Sequence, residues 1–261
     1  MLKNKIIWIT GASSGIGEAM AIAAAQQGAN LILSARRESE LQRVAELCAS
    51  NSVSVLPLDI ADTDAMPAAV QAALQKWGRI DILVNNAGIS QRSLALETQL
   101  EVDKQLIAVN YIGTVALTKA LLPAMLAQGG GTIAVVSSLT GKFGTPYRSS
   151  YAASKHALHG FFDSLRAELY GKNIGITLLC PGFVRTNISL NALTANGTAQ
   201  QTMDEATDKG LNPEIFAKRA WKAILQGKEE VYIGQKEVWG IYLKRWLPTL
   251  FSKIVRKAKV K

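Results

Sequence analysis

The chain has 261 residues, 48% of them apolar and 19% charged, and a formal net charge of +9. That length suffices for one large buried core, and the balance of apolar and charged residues excludes a disordered chain. Seven of the cations (Lys244, Arg245, Lys253, Arg256, Lys257, Lys259, Lys261) fall from Trp239 onward, where no acid stands. The basic character therefore belongs to a tail, and with no recognised binding motif it gives nucleic-acid binding little support.

The run Lys5–Ile9 reads as a strand from the outset and leaves no room for a signal peptide. No apolar run reaches spanning length, so a cytoplasmic protein is expected. Cys48 and Cys180 are far apart and read as buried, reduced thiols. After the first strand, Thr10-Gly11-Ala12-Ser13-Ser14-Gly15-Ile16-Gly17 opens an Ala-rich helix that Gly28 stops. Strand, glycine turn and helix together form the context in which backbone N–H groups meet a pyrophosphate. The spacing here is Gly-x-x-x-Gly-x-Gly, and a turn without a ligand is the alternative reading.

A second strand, 30–34, ends at Ala35-Arg36-Arg37. An acid in this place would hold a ribose 2′-hydroxyl, whereas arginine accommodates a 2′-phosphate. Arg36 and Arg37 thus favour NADP(H) over NAD(H), with solvated surface as the alternative, and Glu38 suits the start of the next helix. Helix 38–49, strand 53–58 and helix 64–77 continue the alternation. Asp59 sits just past the third strand, where the carboxyl ends of parallel strands meet ligand.

Strand 80–84 leads into Asn85-Asn86-Ala87-Gly88, two amides suited to holding neighbouring strands and two small residues that leave space for a cofactor. A long helix over 100–126 carries Asn110 among apolar Ile107, Val109 and Ile112. Strand 132–137 follows, then Ser138 and a flexible loop over 141–150.

Helix 151–171 carries Tyr151 and Lys155 one turn apart on one face. A phenol with a reference pKa of about 10 is a poor acid or base near neutrality, and a nearby ammonium favours its phenolate. The pair suits general acid/base work, although an isolated Tyr-x-x-x-Lys can simply share a helix face. His156 and His159 lie on the same helix. With no carboxylate or further histidine at ligand spacing, no metal site is expected. Strand 174–180 runs into Pro181-Gly182-Phe183-Val184-Arg185-Thr186. The polar stretch 187–211 reads as a mobile lid over the substrate. Helix 213–226 and strand 230–233 precede the tail.

The alternation predicts a single-domain, Rossmann-type, doubly wound parallel sheet of about seven strands, with helices on both faces. The oxidoreductase domain is expected over 1–234 and the basic amphipathic tail over 235–261. Leu250, Phe251, Ile254, Val255 and Ala258 share one helical face and Lys253, Arg256 and Lys257 the other. That face either packs on protein, as a sister subunit or a roof to the pocket, or makes peripheral contact with a membrane.

Taken together, Gly11/Gly15/Gly17, Asn85-Asn86-Ala87-Gly88, Asn110, Ser138, Tyr151/Lys155 and Pro181-Gly182 resemble the short-chain dehydrogenase/reductase family over roughly residues 4–234. The resemblance implies Tyr151 as general acid/base, Ser138 on the reacting oxygen, and Lys155 on the nicotinamide ribose, lowering the Tyr151 pKa. It implies that Asn110 anchors a water linking Lys155 to solvent. Gly11, Ser13, Ser14, Gly15, Ile16 and Gly17 would line the pyrophosphate. Asp59 would meet adenine, Asn86 the adenine-side ribose with Ala87 and Gly88 beside it, and Val184 and Thr186 the carboxamide. The implied protein is an NADP(H)-dependent enzyme acting on a small-molecule carbonyl or alcohol that could be lipophilic. A homodimer or homotetramer through helices 100–126 and 151–171 is implied as well. A catalytically idle dinucleotide-binding regulator, or a membrane-surface protein, is the alternative.

Overall fold

The computed structural model describes residues 1–48 and 52–258. Lys259, Lys261 and the last residue of the predicted helix 38–49 lie outside them. Seven strands, β1 (Ile6–Thr10), β2 (Asn30–Ser34), β3 (Val53–Val55), β4 (Ile82–Asn85), β5 (Gly131–Val136), β6 (Ile174–Pro181) and β7 (Glu230–Ile233), form one sheet in the order β3-β2-β1-β4-β5-β6-β7. Every neighbouring pair is parallel. The winding reverses between β1 and β4, which opens a crevice at the carboxyl ends of those strands.

Successive strand residues face opposite sides of the sheet. Ile7, Ile9, Leu31 and Leu33 pack under helices α1 (Gly15–Ala25), α2 (Glu38–Leu47) and α8 (Pro213–Leu225). Ile6, Trp8, Ile32 and Leu83 pack under α3 (Met66–Trp77), α5 (Gly113–Ala127) and α6 (Ser149–Glu168). Burial on both faces is why these strands read as continuous apolar runs. The indoles of Trp8 and Trp221 are fully enclosed, and each satisfies its N–H, on Ser34 Oγ and Met20 O, both at 2.9 Å.

The helix expected over 100–126 is α4 (Leu100–Ile107) and α5, joined by one wide π turn, Ala108–Ile112, that holds Asn110. By length and composition Leu100–Ala127 is long and apolar enough to cross a membrane, which corrects the expectation that no segment reaches that length. Part of its apolar surface packs into the fold, where Leu106, Leu117, Leu121 and Met125 are fully buried, while Leu100, Ile112 and Leu126 stay exposed. The third strand is shorter than expected, Val53–Val55, although Leu56 N and Leu58 N still donate to Leu33 O and Ala35 O at 2.9 and 3.0 Å. The helix that carries Tyr151 begins two residues earlier than expected, at Ser149.

The segment 187–211 contains a short helix, α7 (Glu205–Asp208), and touches the body through bridges of Leu193 to Gln91 and Leu211 to Val184. The tail forms two helices, α9 (Trp239–Trp246) and α10 (Pro248–Val255), separated at Pro248, which cannot continue the helix hydrogen bonding. Phe251 turns inward against Phe143, ring centroids 5.1 Å apart, and beside Ile241. Leu250 and Ile254, expected on the same face, stay exposed.

Candidate active site

At the switch point lies a cleft of about 610 Å³. Gly11, Ser13, Ser14, Gly15 and Ile16 line it from the first turn, and Arg36, Arg37 and Asp59 from the ends of β2 and β3. Asn86, Ala87 and Gly88 line it after β4, Ser138 after β5, Tyr151 and Lys155 from α6, and Val184 and Thr186 after β6. Gly17 and Asn110 stand directly behind this lining.

The glycine turn is shaped by close approach. A Cβ on Gly17 would lie 2.3 Å from Gly11 O, and one on Gly11, whose φ is +62°, would lie 2.8 Å from Ala87 Cα. Asn86 Nδ2 donates to Thr10 O and Gly11 O at 2.9 and 3.1 Å, leaving its oxygen for a ligand. Thr10 Oγ1 accepts from both Asn86 N and Ala87 N, at 3.0 and 3.1 Å. A turn whose glycines bring backbone close, at the start of a helix, suits a pyrophosphate, so the residues present fit a nicotinamide dinucleotide. Thr186 covers the turn from outside, with its Cγ2 3.0 Å from where a Cβ on Gly15 would be.

Deeper in the cleft, Lys155 is 4% exposed and its Nζ donates to Val136 O at 2.8 Å. Burial lowers its pKa to about 8. The ammonium lies 5.8 Å from the Tyr151 ring centroid. Ser138 Oγ accepts from Thr140 N at 3.2 Å and Thr140 Oγ1 at 2.9 Å, which aims its own proton away from the turn it caps. Asn110 is fully buried: its Oδ1 accepts from Ile89 N at 2.8 Å, and its Nδ2 donates to Ile89 O and Ser154 Oγ at 3.0 and 2.9 Å. One Oδ1 lone pair remains. The gap left by the missing side chain of Gly88 is bordered by Asn110 Oδ1 and Lys155 Nζ, 3.0 and 3.5 Å from an ideal Cβ.

Several residues that the sequence did not single out support this arrangement. Gln91 is fully buried, and its Oε1 accepts from Ser150 N at 3.0 Å and Tyr151 N at 3.3 Å. Arg92 Nε and Nη2 grip Asp204 Oδ2 at 2.8 and 2.5 Å, both side chains almost wholly enclosed. Arg148 Nη2 stands 3.8 Å from the same oxygen, and burial followed by the repulsion of Arg92 lowers its pKa to about 10.

His159 meets Glu230 and Cys180, both distant from it in sequence, with all three donor atoms within 4.8 Å of one another. Its Nδ1 faces Glu230 Oε2 at 3.2 Å, while Nε2 faces Ser137 Oγ at 3.0 Å and Cys180 Sγ at 3.8 Å. Lys142 Nζ already holds Glu230 Oε2 at 2.9 Å. Burial alone would raise the Glu230 pKa, but hydrogen bonds from His159, Tyr232 and Lys142 outweigh it and hold the carboxyl at about 2. The imidazole thus spans partners on opposite edges of its ring. Burial, then Glu230, pushes the Cys180 thiol up, which makes it inert.

Residues 5–196 match the family model for short chain dehydrogenase. A Drosophila melanogaster protein described as dehydrogenase/reductase SDR family protein 7-like is 42% identical, over 100% of this chain and 82% of its own. The Bos taurus dehydrogenase/reductase SDR family member 7B is 40% identical over 97% of this chain and 81% of its own. A Burkholderia phymatum short chain dehydrogenase/reductase, solved in complex with NAD, superposes with a TM-score of 0.87 at 26% identity over 95% of each chain. The match of fold, family model and relatives gives one answer: the chain belongs to the short-chain dehydrogenase/reductase family.

Proposed function

We propose that this protein is an NADP(H)-dependent oxidoreductase that transfers a hydride between nicotinamide and a carbonyl or secondary-alcohol substrate, with Tyr151 as general acid/base. The observation that carries the reading is the convergence of Ser138, Tyr151 and buried Lys155 on one cleft with the glycine turn. When bound, the nicotinamide supplies the hydride chemistry. Ser138 and Tyr151 donate hydrogen bonds where charge develops on the substrate oxygen, and Tyr151 delivers the proton in reduction. Lys155 holds a positive charge under the ribose. A water in the gap beside Gly88, between Asn110 Oδ1 and Lys155 Nζ, would return the proton from solvent.

The choice of NADP(H) rests on Arg36 and Arg37, both exposed on the rim at the end of β2. Glu38, the nearest acid, is the first residue of α2. We assign Asp59 to the adenine end and Val184 and Thr186 to the carboxamide end, and read 187–211 as the lid, since Asn187, Ile188, Asn191 and Leu193 line the cleft. Leu100, Ile112 and Leu126 expose large apolar side chains along α4, the π turn and α5. They support a homodimer or homotetramer through these helices and α6, which sedimentation at micromolar concentration would test.

The deciding experiment follows NADPH oxidation across a carbonyl panel, with NADPH binding measured in parallel. Turnover that depends on Tyr151 supports the reading. Binding without turnover of any carbonyl or alcohol would instead favour the idle, regulatory alternative.

A further inference from the structure

The tail helices leave an apolar surface uncovered. Along α9, Trp239, Tyr242 and Trp246 fall at helical spacing on one side, opposite buried Ile241. Trp239 and Trp246 are each 73% exposed. Across the bend at Pro248 the same surface continues through Leu247, Leu250 and Ile254, all exposed. Between the two helices Trp239, Tyr242, Trp246, Leu247 and Ile254 wall a groove of about 530 Å³ floored by Phe251. Trp8 and Trp221, by contrast, are closed inside the core.

The rim of this surface is strongly basic, and Glu237 is the one carboxylate among the residues that line the groove. Lys244, Arg245, Lys253, Arg256 and Lys257 are exposed on the same two helices, and no acid occurs from Trp239 to the end of the chain. Lys244 Nζ and Arg245 Cζ each lie 5.8 Å from an aromatic centroid, of Phe251 and Trp246 respectively. Two exposed tryptophans and a tyrosine beside apolar side chains, ringed by cations, match the headgroup layer of a bilayer. There the indoles sit at the interface and the cations meet anionic lipid. A second copy of this chain would bring the same uncompensated cations against themselves, which charge opposes.

We infer that the α9–α10 hairpin is a docking surface for anionic lipid bilayers. The surface is continuous with the active-site wall. Phe251 and Gly240 pack on Phe143 in the loop after Ser138, and Glu237 Oε1, just before α9, accepts from Phe183 N at 3.1 Å beside cleft-lining Gly182. Docking therefore sets the rim of the cleft close to the lipid surface. Given the oxidoreductase reading above, it favours a lipophilic carbonyl or alcohol that partitions into the bilayer.

The test is co-sedimentation of the full chain with vesicles of phosphatidylcholine, alone or with roughly one quarter phosphatidylglycerol, at low and high salt. Binding is expected to the anionic vesicles at low salt, with a blue shift of tryptophan fluorescence from Trp239 and Trp246. The triple variant Lys253→Gln/Arg256→Gln/Lys257→Gln should bind about a hundredfold more weakly, some fivefold per cation removed. Trp239→Ser/Trp246→Ser should bind at least tenfold more weakly and lose the blue shift, while thermal melting and NADPH binding, far from these side chains, report an intact fold. Intact protein that stays in the supernatant at low salt would overturn the inference. So would a Trp239→Ser/Trp246→Ser protein whose sedimentation coefficient drops while vesicle binding never existed, because that identifies a sister subunit as the occupant. These outcomes are independent of turnover and therefore separate this inference from the catalytic one.

Discussion

Gln91 accepts the backbone N–H of Tyr151, at 3.3 Å, and of its neighbour Ser150, at 3.0 Å. The first N–H groups of a helix have no partner within it, and Arg148, at the cap position of α6, makes no side-chain cap bond. A buried amide from the loop after β4 fills that role, and its Nε2 donates to Ser93, Thr98 and Ser149. The backbone of Tyr151 is thus held by a side chain from the loop after β4.

Gln91→Ala should therefore affect both stability and rate. Loss of the cap costs about 1–2 kcal/mol, read as a lower denaturation midpoint. The freed end of α6 should lower kcat by about ten- to a hundredfold, as a small misplacement of a reacting group does. Gln91→Glu keeps the accepting oxygens and should recover part of the rate. Unchanged kcat in Gln91→Ala would remove Gln91 from the positioning of Tyr151.

Tyr151→Phe should nearly abolish turnover and leave NADPH affinity within a few-fold, because the ring packs beside Val102, Leu106 and Leu193 whatever its substituent. Stopped-flow binding together with steady-state rates would show both. Substantial turnover by the Phe variant would assign the proton to another group.

The parallel, doubly wound sheet and the alternation of strands with helices were legible in the sequence because strands buried on both faces leave unbroken apolar runs, and glycine turns mark their carboxyl ends. Ser138, Tyr151, Lys155 and the glycine turn were legible because each lies in a short local pattern. Gln91, Arg92, Asp204 and the His159–Glu230 contact were not. Their partners lie far away in sequence, Arg92 and Asp204 being 112 positions apart, and no periodicity marks a pair that only tertiary folding joins. The tail was legible as amphipathic, but the inward turn of Phe251 depends on Phe143, whose place is set by the Ser138 loop.

Cofactor choice should follow Arg36 and Arg37. NADPH should bind at least about tenfold more tightly than NADH, a difference of about 1.4 kcal/mol. Arg36→Asp should erase or invert the ratio by repelling a 2′-phosphate and accepting from a 2′-hydroxyl. Equal affinities in the unaltered protein, measured by calorimetry, would make the two arginines ordinary surface.

The pH dependence of Lys155 should have opposite signs in activity and in stability. Burial lowers its pKa from 10.5 to about 8. The charged form is the one that serves the site, so kcat/KM should fall as pH rises through about 8 in the free enzyme. Between about 8 and 10.5 the unfolded chain holds the proton that the folded one has released, so this group's contribution to stability rises with pH there. Lys155→Arg, charged throughout, should shift the alkaline limb of the rate profile upward. A limb that stays in place in that variant would assign it to a different group.

The last prediction concerns the pair that ties segment 187–211 to the body. Arg92 and Asp204 are 3% and 2% exposed, so removing one partner leaves a buried charge without its main counter-ion. Arg148, 3.8 Å from Asp204, compensates only in part. Arg92→Ala should cost about 3–5 kcal/mol if the segment stays closed. Local opening of 187–211 would relieve that penalty by exposing Asp204 to water, and the global loss would then be smaller. Hydrogen exchange distinguishes the two: in the second case the amides of 189–208 lose protection while those of β4 and β5 keep theirs. A double variant, Arg92→Met/Asp204→Leu, removes both charges and should restore much of the stability while leaving Arg148 without a carboxylate partner. If Arg92→Ala changes neither the melting temperature nor the exchange of 189–208, the pair does not hold the segment in place, and its closure must come from the apolar contacts of Leu193 with Val102 and Leu106.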